Sequence, residues 1–250
     1  MAQADNTVRV GLRVLGQDVA VEVPQPPERV RLDEVLPLIR AIDDRVVDLA
    51  VAEVEREGKR VSCCRGCSAC CRAQPVPVTP PEAYALVKVV EALAPPRQEE
   101  VRRRFADRVQ RLRDAGLAEY YLDRSKSLSP TEARQVTERY FRLGLACPFL
   151  EDDACSIYPD RPFVCRQYLV TSPADLCRDP LSNPIARVPM PIMAATATLA
   201  TGERFLGAPQ YTVPLVLALE YAQAHHAELE QQYRSLDLHP FWIRALAKPE

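Results

Sequence analysis

The sequence predicts a mostly α-helical protein with a short N-terminal β-hairpin and a long irregular segment that carries cysteines. Three observations support this fold class. Hydroxyl-Pro-x-Glu helix starts precede apolar stripes of helical spacing, strict alternation of apolar and polar residues is confined to the first 23 residues, and residues 147–191 show no sustained period. Helices should therefore form the body of the molecule.

The N-terminal segment from Thr7 to Val23 alternates apolar and polar residues on either side of Gly16 and Gln17. Alternation of this kind places apolar side chains on one face of a strand, and a Gly between two such runs favours a tight turn. The alternating apolar positions are Val8, Val10, Leu12, Val19, Val21 and Val23. We expect a hairpin here, followed by a Pro-rich linker, as a unit of residues 1–30.

The next element should be a long helix that delivers the chain to the cysteines. Asp33 is placed to cap its start, and Gly58 marks its end. Its apolar positions recur every three or four residues, at Leu36, Ile39, Ile42, Val46 and Leu49. We expect residues 31–250 to form a single helical domain around this helix.

Further helices are indicated by their first residues. Thr79-Pro80-Pro81-Glu82 and Ser129-Pro130-Thr131-Glu132 are capping boxes with Pro at the first helical position. A third helix should start at Pro95 and bury Val101, Phe105, Val109 and Leu112, leaving its arginines on a solvated face. A last long helix is predicted from Thr212 through Gln232.

Composition narrows the class of function. The 250 residues are 47% hydrophobic and 26% charged, with a net charge of −2, so neither nucleic acid nor an anionic membrane is expected as a partner. The N-terminus lacks a signal-peptide pattern, and we expect a cytoplasmic protein. Nine cysteines in a reducing compartment indicate metal ligation or thiol chemistry rather than disulfides.

The first cysteine segment, residues 63–72, crowds five thiols into nine residues. In Cys64-x-x-Cys67-x-x-Cys70-Cys71, a helical turn would bring Cys64, Cys67 and Cys71 to one face. A loop that bends at Gly66 would gather the same thiols. Either conformation concentrates thiolates, whose mutual repulsion requires a cation, so the segment predicts a metal.

The second segment, residues 147–177, offers Cys147, Cys155, Cys165 and Cys177 at spacings of eight, ten and twelve. It contains no Cys-x-x-Cys knuckle of the kind that zinc ribbons use. Iron-sulfur proteins tolerate such layouts, and the Cys64, Cys67, Cys70 run with a distant Cys147-Pro148 is similar to a ferredoxin ligand set. An iron-sulfur cluster is therefore favoured, and zinc stays open as the alternative.

Three other residues of the second segment are candidates to surround the cofactor. A cluster held by four thiolates carries net negative charge, so burial requires nearby donors and cations. Arg161 and Arg166 flank Cys165 and can supply them. Tyr158, in a proline-rich turn, is expected to shield the metal from solvent.

The combined pattern resembles the YkgJ-type cysteine cluster family of CxxCxxCC proteins, which is associated with zinc or iron chelation. The resemblance rests on the first run together with CPFL, CSIYPDRPFVCRQY and a last cysteine. It implies eight metal ligands and leaves Cys63 as a spare thiol. These eight are Cys64, Cys67, Cys70, Cys71, Cys147, Cys155, Cys165 and Cys177.

The resemblance implies metal binding more firmly than an activity. One similar protein, the flagellin lysine N-methylase, resembles an iron-sulfur-dependent enzyme, but no catalytic residue can be carried over to this sequence. The leading hypothesis is a 4Fe-4S cluster used in electron transfer or in modifying another protein, with a protein substrate or redox partner. The alternative is a zinc-binding structural or metal-handling module without catalysis.

Overall fold

Helices carry most of the architecture in the computed structural model, which describes residues 7–122 and 129–247. The helices are α1 (Leu36–Arg56), α2 (Pro80–Glu91), α3 (Pro95–Asp114), α4 (Ala118–Leu122), α5 (Pro130–Leu143), α6 (Phe163–Gln167), α7 (Ala194–Leu206), α8 (Ala218–Ala224), α9 (His226–Leu229) and α10 (Ser235–Leu246). The strands are β1 (Thr7–Val14), β2 (Gln17–Pro24), β3 (Arg29–Val30), β4 (Pro77–Val78), β5 (Leu150–Glu151), β6 (Ala154–Cys155), β7 (Val213–Pro214) and β8 (Tyr233–Arg234). The mostly helical fold with an N-terminal hairpin is confirmed.

The predicted hairpin pairs β1 with β2 antiparallel and turns at Leu15 and Gly16, one residue earlier than the sequence indicated. The apolar side chains of one hairpin face are buried in a core shared with α1, α7 and α10, which contains Trp242. Val8 lies on the same face near the start of β1, where it is 39% exposed. The hairpin thus packs directly onto the helical body, and the proposed division at residue 30 stays a prediction.

The long helix α1 begins later than expected. Residues 33–35 form a 3-10 turn, and Asp33 caps neither this turn nor α1. Its buried carboxylate instead accepts hydrogen bonds from Arg31, at 3.0 Å, and Lys88, at 2.9 Å. The predicted capping role of Asp33 is wrong, because the chain is already helical before α1 and its side chain is needed to pair with α2.

Both capping boxes are confirmed. In α2 the Thr79 hydroxyl accepts from the Glu82 N–H, and the Glu82 carboxylate accepts from the Thr79 N–H at 2.9 Å. Ser129 and Glu132 repeat these contacts at α5, but on the surface. Glu82 is buried, and its second carboxylate oxygen accepts from the Phe163 N–H at 2.7 Å, which ties α2 to α6.

The predicted helix from Thr212 to Gln232 is wrong as a continuous element. Val213 and Pro214 pair with β4, because the preceding loop returns the chain to that edge. A 3-10 turn follows at residues 215–217, and His225, with φ −108° and ψ 19°, separates α8 from α9. The apolar residues of this stretch still pack on α2 and α3 as a helical prediction requires.

The segment from 147 to 191 is dominated by loops and short turns, as predicted. Its regular parts are the β5–β6 hairpin, the five-residue α6 and two 3-10 turns, with a bridge between Val170 and Arg187. Across the described ranges 7–122 and 129–247, no helix is both long enough and apolar enough to cross a membrane.

Candidate metal centre

The first cysteine segment adopts the loop rather than the helix. The Cys67 N–H donates to the Cys64 carbonyl oxygen at 3.0 Å, closing a turn in which Gly66 has φ +92°. Only Cys70–Arg72 forms a short 3-10 turn. The helical alternative, which would align Cys64 with Cys71, is therefore not adopted, and the Cys64 side chain is exposed.

The two cysteine segments meet through backbone and side-chain contacts. The Cys147 N–H donates to the Cys71 carbonyl oxygen at 2.7 Å, and the Gln74 side chain donates to the Cys177 carbonyl oxygen at 3.0 Å. Asp153, in the β5–β6 turn, accepts from Ser68 at 2.7 Å and pairs with Arg72. Residues 76 to 103 positions apart in sequence are thus held side by side.

Four thiols from both segments lie near one another: Cys70, Cys147, Cys155 and Cys165. Burial raises the pKa of Cys147 to about 12, and the thiols of Cys155 and Cys70 raise it further. Burial also raises the pKa of Cys165 far above its usual range, and Cys147, Cys70 and Cys155 add to the effect. Without a cation these thiols stay protonated at neutral pH, so ligation must displace their protons.

A second set of thiols packs around Ala69 and Val170. Cys177 is buried there, and Cys63, Cys67 and Cys70 contact the same cluster. Burial raises the pKa of Cys63 to about 11, and neighbouring Cys67 and Cys177 contribute. Cys70 lies near both sets, since its charge raises the pKa of Cys165 and of Cys177.

The thiols are neighbours without forming a finished coordination shell. Within residues 7–122 and 129–247, no three Cys, His, Asp or Glu side chains stand in the geometry of a metal site. The predicted ligand set and the clamping of the second segment by metal therefore stay predictions. The donor chemistry fits a thiophilic metal, because these thiols are partly or fully removed from solvent, lie near one another and have raised pKa values, so a cation that replaces their protons stabilises them.

Tyr158, Arg161 and Arg166 lie beside the second segment in different ways. Arg161 stacks on the Tyr158 ring at 3.7 Å, and Arg65 from the first segment lies 5.6 Å from the same ring. Burial raises the pKa of Cys155, and the positive charge of Arg161 opposes this shift. The Arg161 guanidinium therefore lies near that thiol. Arg166 is buried and pairs with Asp44 at 2.6 Å. Arg166 thus supports the turn around Arg161, whose carbonyl oxygen it contacts at 3.0 Å.

Two arginines of α3 hold the start of the second segment, contrary to the expected solvated face. Arg108 donates to the Ala146 carbonyl oxygen at 3.2 Å, and Arg104 donates to the Pro148 carbonyl oxygen at 3.3 Å and to Glu151. They lie four residues apart and share one side of the helix. That spacing was visible in the sequence, but the contacts of the two arginines with residues 146–151 were not.

The histidines lie in packing positions away from the cysteines named above. His226 contacts the Tyr84 ring edge-on, and His225 stacks on Tyr221. His239 contacts the Ser235 carbonyl oxygen at 2.9 Å. The candidate centre is thus built from sulfur donors.

The fold and the site define a helical protein with a cysteine-rich, thiol-only candidate metal centre. Residues 63–181 match the family model CxxCxxCC, described as "Putative zinc- or iron-chelating domain". The match agrees with the resemblance seen in the sequence, and it spans all nine cysteines. No curated protein and no solved structure matches the chain at a significant level.

Proposed function

We propose that the protein holds a 4Fe-4S cluster on thiolates from both cysteine segments, for electron transfer or for cluster-assisted modification of another protein. The observation that supports this proposal most is the proximity of four thiols, those of Cys70, Cys147, Cys155 and Cys165. The two segments are also joined by the hydrogen bond from the Cys147 N–H to the Cys71 carbonyl oxygen. Four thiols are the number that a cubane cluster uses. The family description supports iron or zinc as the metal.

The donor set favours iron and sulfur over zinc. A zinc site with cysteines usually takes two Cys-x-x-Cys knuckles, and the second segment has none. A buried cluster on four thiolates also needs cations nearby, and Arg161 lies close enough to Cys155 to act on its pKa. When bound, the cluster would supply one-electron chemistry, while this chain positions the thiols and limits solvent access.

A zinc-binding module without catalysis is the second candidate. It is favoured by the scarcity of regular structure in residues 147–191, since a structural metal orders segments that lack a core of their own. The partner of such a module would be another macromolecule that binds the surface ordered by the metal.

Anaerobic purification followed by visible spectroscopy and analysis of iron, sulfide and zinc separates the two candidates. The iron-sulfur proposal predicts a brown protein with iron and sulfide in equal amounts. A colourless protein with stoichiometric zinc and no iron or sulfide would overturn it in favour of the structural module.

A further inference from the structure

The nine cysteines do not form one group in the structure. We propose that Cys63, Cys67 and Cys177 form a second metal site, separate from the one that contains Cys147, Cys155 and Cys165. The inference rests on the proposed metal-binding function and deepens it. It also gives Cys63 a ligand role that the CxxCxxCC motif does not assign to it.

The second site lies where the first segment packs on residues 168–177. The Ser62 N–H donates to the Val170 carbonyl oxygen at 2.8 Å, which places the adjacent Cys63 against Val170. Cys177 is only 3% exposed and packs in the same cluster as Cys63 and Cys67. The Gln74 side chain fixes the Cys177 backbone from the other side. Three cysteines from two segments thus border one cluster, and a bound metal would have to draw their sulfurs into coordination distance, since within residues 7–122 and 129–247 no such group is already formed.

The other site lies in a different core. Cys147 and Cys155 pack against the cluster that includes Phe149 and Ile157, which joins α2, α3 and α8. No residue of this core belongs to the cluster around Ala69 and Val170. Cys70 lies near both groups and is the fourth thiol of the proposed cluster. The separation of the thiols into two packed environments argues against a single shared metal.

Cys63 and Cys64 differ sharply although they are adjacent. Cys63 packs beside Cys67 and Cys177, whereas Cys64 is exposed and begins the turn that Gly66 closes. The geometry therefore assigns the ligand role to Cys63. A site of three thiolates accepts a thiophilic divalent ion, such as Zn²⁺, Co²⁺ or Fe²⁺, and leaves a fourth position for an external ligand.

Cobalt titration of the reduced, metal-free chain under anaerobic conditions tests this division. Co²⁺ bound by thiolates gives charge-transfer absorption, so bound equivalents can be counted. The wild-type chain should bind two equivalents. Cys63→Ser should retain one and Cys155→Ser should retain one. Cys64→Ser, whose ligand role in the resemblance this proposal transfers to Cys63, should retain two. Circular dichroism of each variant checks that the helices persist.

Thiol labelling of the wild-type chain gives a second readout that requires no substitution. Trypsin releases Val61–Arg65, a peptide whose only cysteines are Cys63 and Cys64, and fragment ions distinguish them. Loading with Zn²⁺ should slow alkylation of Cys63 relative to the metal-free chain and leave Cys64 unchanged. The comparison with the metal-free chain removes the effect of burial alone.

The outcomes separate this inference from the proposed function. One equivalent of Co²⁺ in the wild type, or loss of an equivalent in Cys64→Ser but not in Cys63→Ser, overturns the second site and leaves metal binding intact. Protection of Cys64 in place of Cys63 does the same. A wild-type chain that binds no metal overturns both the second site and the proposed function.

Discussion

At the scale of the residue, Tyr158 links the two cysteine segments. Its ring carries Arg161 from its own segment at 3.7 Å, and Arg65 from the other segment lies 5.6 Å away. Stacking of guanidinium groups on a ring covers the edge of both segments. We therefore expect the ring to restrict the access of solvent and oxygen to Cys155, the thiol whose pKa the charge of Arg161 lowers.

Tyr158→Ala should leave anaerobic metal content near normal and accelerate metal loss in air, because the ring protects the site without ligating the metal. Tyr158→Phe keeps the ring and serves as the matched control. Metal release after exposure to air, followed with a chromogenic chelator, measures the effect. Equal release rates for Tyr158→Ala and the wild type would contradict the shielding role.

Asp43 is a buried acid of α1 whose Oδ1 accepts from Gln167 at 2.8 Å, while Oδ2 has no hydrogen-bond partner among the described residues. Burial raises its pKa from 3.8 to about 7; Arg166 opposes the shift, and Asp44 and Glu82 add to it. The folded state thus holds a proton that the unfolded chain releases. Below pH 3.8 the carboxyl is protonated in both states, and its contribution to the free energy of unfolding is complete. As pH rises from 3.8 to about 7, only the unfolded chain ionises, and this contribution is lost.

The substitution Asp43→Asn removes the ionisable group, so the variant should not lose stability at this position as pH rises. The free energy of unfolding of Asp43→Asn, relative to the wild type, should therefore increase between pH 4 and pH 7 and level off above about 7. Urea unfolding at several pH values measures it, with the exposed Asp48→Asn as the control that should follow the wild-type profile. A constant difference across the range would contradict the raised pKa.

At the scale of the element, two capping boxes with the same sequence pattern have different structural roles. Glu132 caps α5 on the surface, whereas Glu82 caps α2 in the interior and also accepts from the Phe163 N–H that starts α6. Burial raises the pKa of Glu82, although its three donors favour the charged form. Through Phe163, Glu82 fixes the helix that carries Cys165.

Glu82→Gln should destabilise the fold by about 1–3 kcal/mol, because its amide nitrogen would face an N–H donor in a buried site. The effect is measured by urea unfolding, and alkylation of Cys165 should become faster as α6 loosens. Glu132→Gln, the matched surface box, should cause a much smaller loss. Similar losses in both variants would show that the Phe163 contact contributes nothing beyond capping.

The sequence predicted elements that are determined locally and missed those determined by partners. The boxes at Thr79 and Ser129 were found because hydroxyl, Pro and Glu lie within four residues. The strand at Val213 and Pro214 was missed because its pairing partner, β4, lies far away in the chain. Asp33 was assigned a capping role for the same reason, since nothing local indicates its contact with Lys88.

At the scale of the whole molecule, the sequence predicted which segments form the candidate centre better than how the cysteines are arranged in it. A shared metal requires residues 63–72 and 147–177 to meet, and the backbone hydrogen bond from Cys147 to Cys71 agrees with this expectation. The sequence could not indicate that Cys63 packs in the cluster of Cys177 while Cys64 is exposed, because the neighbouring contact of Ser62 with Val170 joins residues far apart in the chain. Nor could it show that Arg104 and Arg108 support the second segment.

Removal of the metal should loosen residues 147–191 before the helical body unfolds, because this segment has little regular structure while α1, α7 and α10 keep a core of their own. Hydrogen exchange of chelated and metal-loaded protein measures the difference. Exchange should accelerate in 147–191 and in 62–74, and stay slow in α1. Unchanged exchange in both cysteine segments would make the metal peripheral to folding.

The central claim is that a metal is bound by cysteine sulfur from both segments. X-ray absorption spectroscopy at the edge of the metal found in the anaerobically purified protein tests it most directly. A first shell of sulfur at about 2.3 Å is expected, with iron neighbours if a cluster is present. A first shell of nitrogen or oxygen at about 2.0–2.2 Å would contradict the claim.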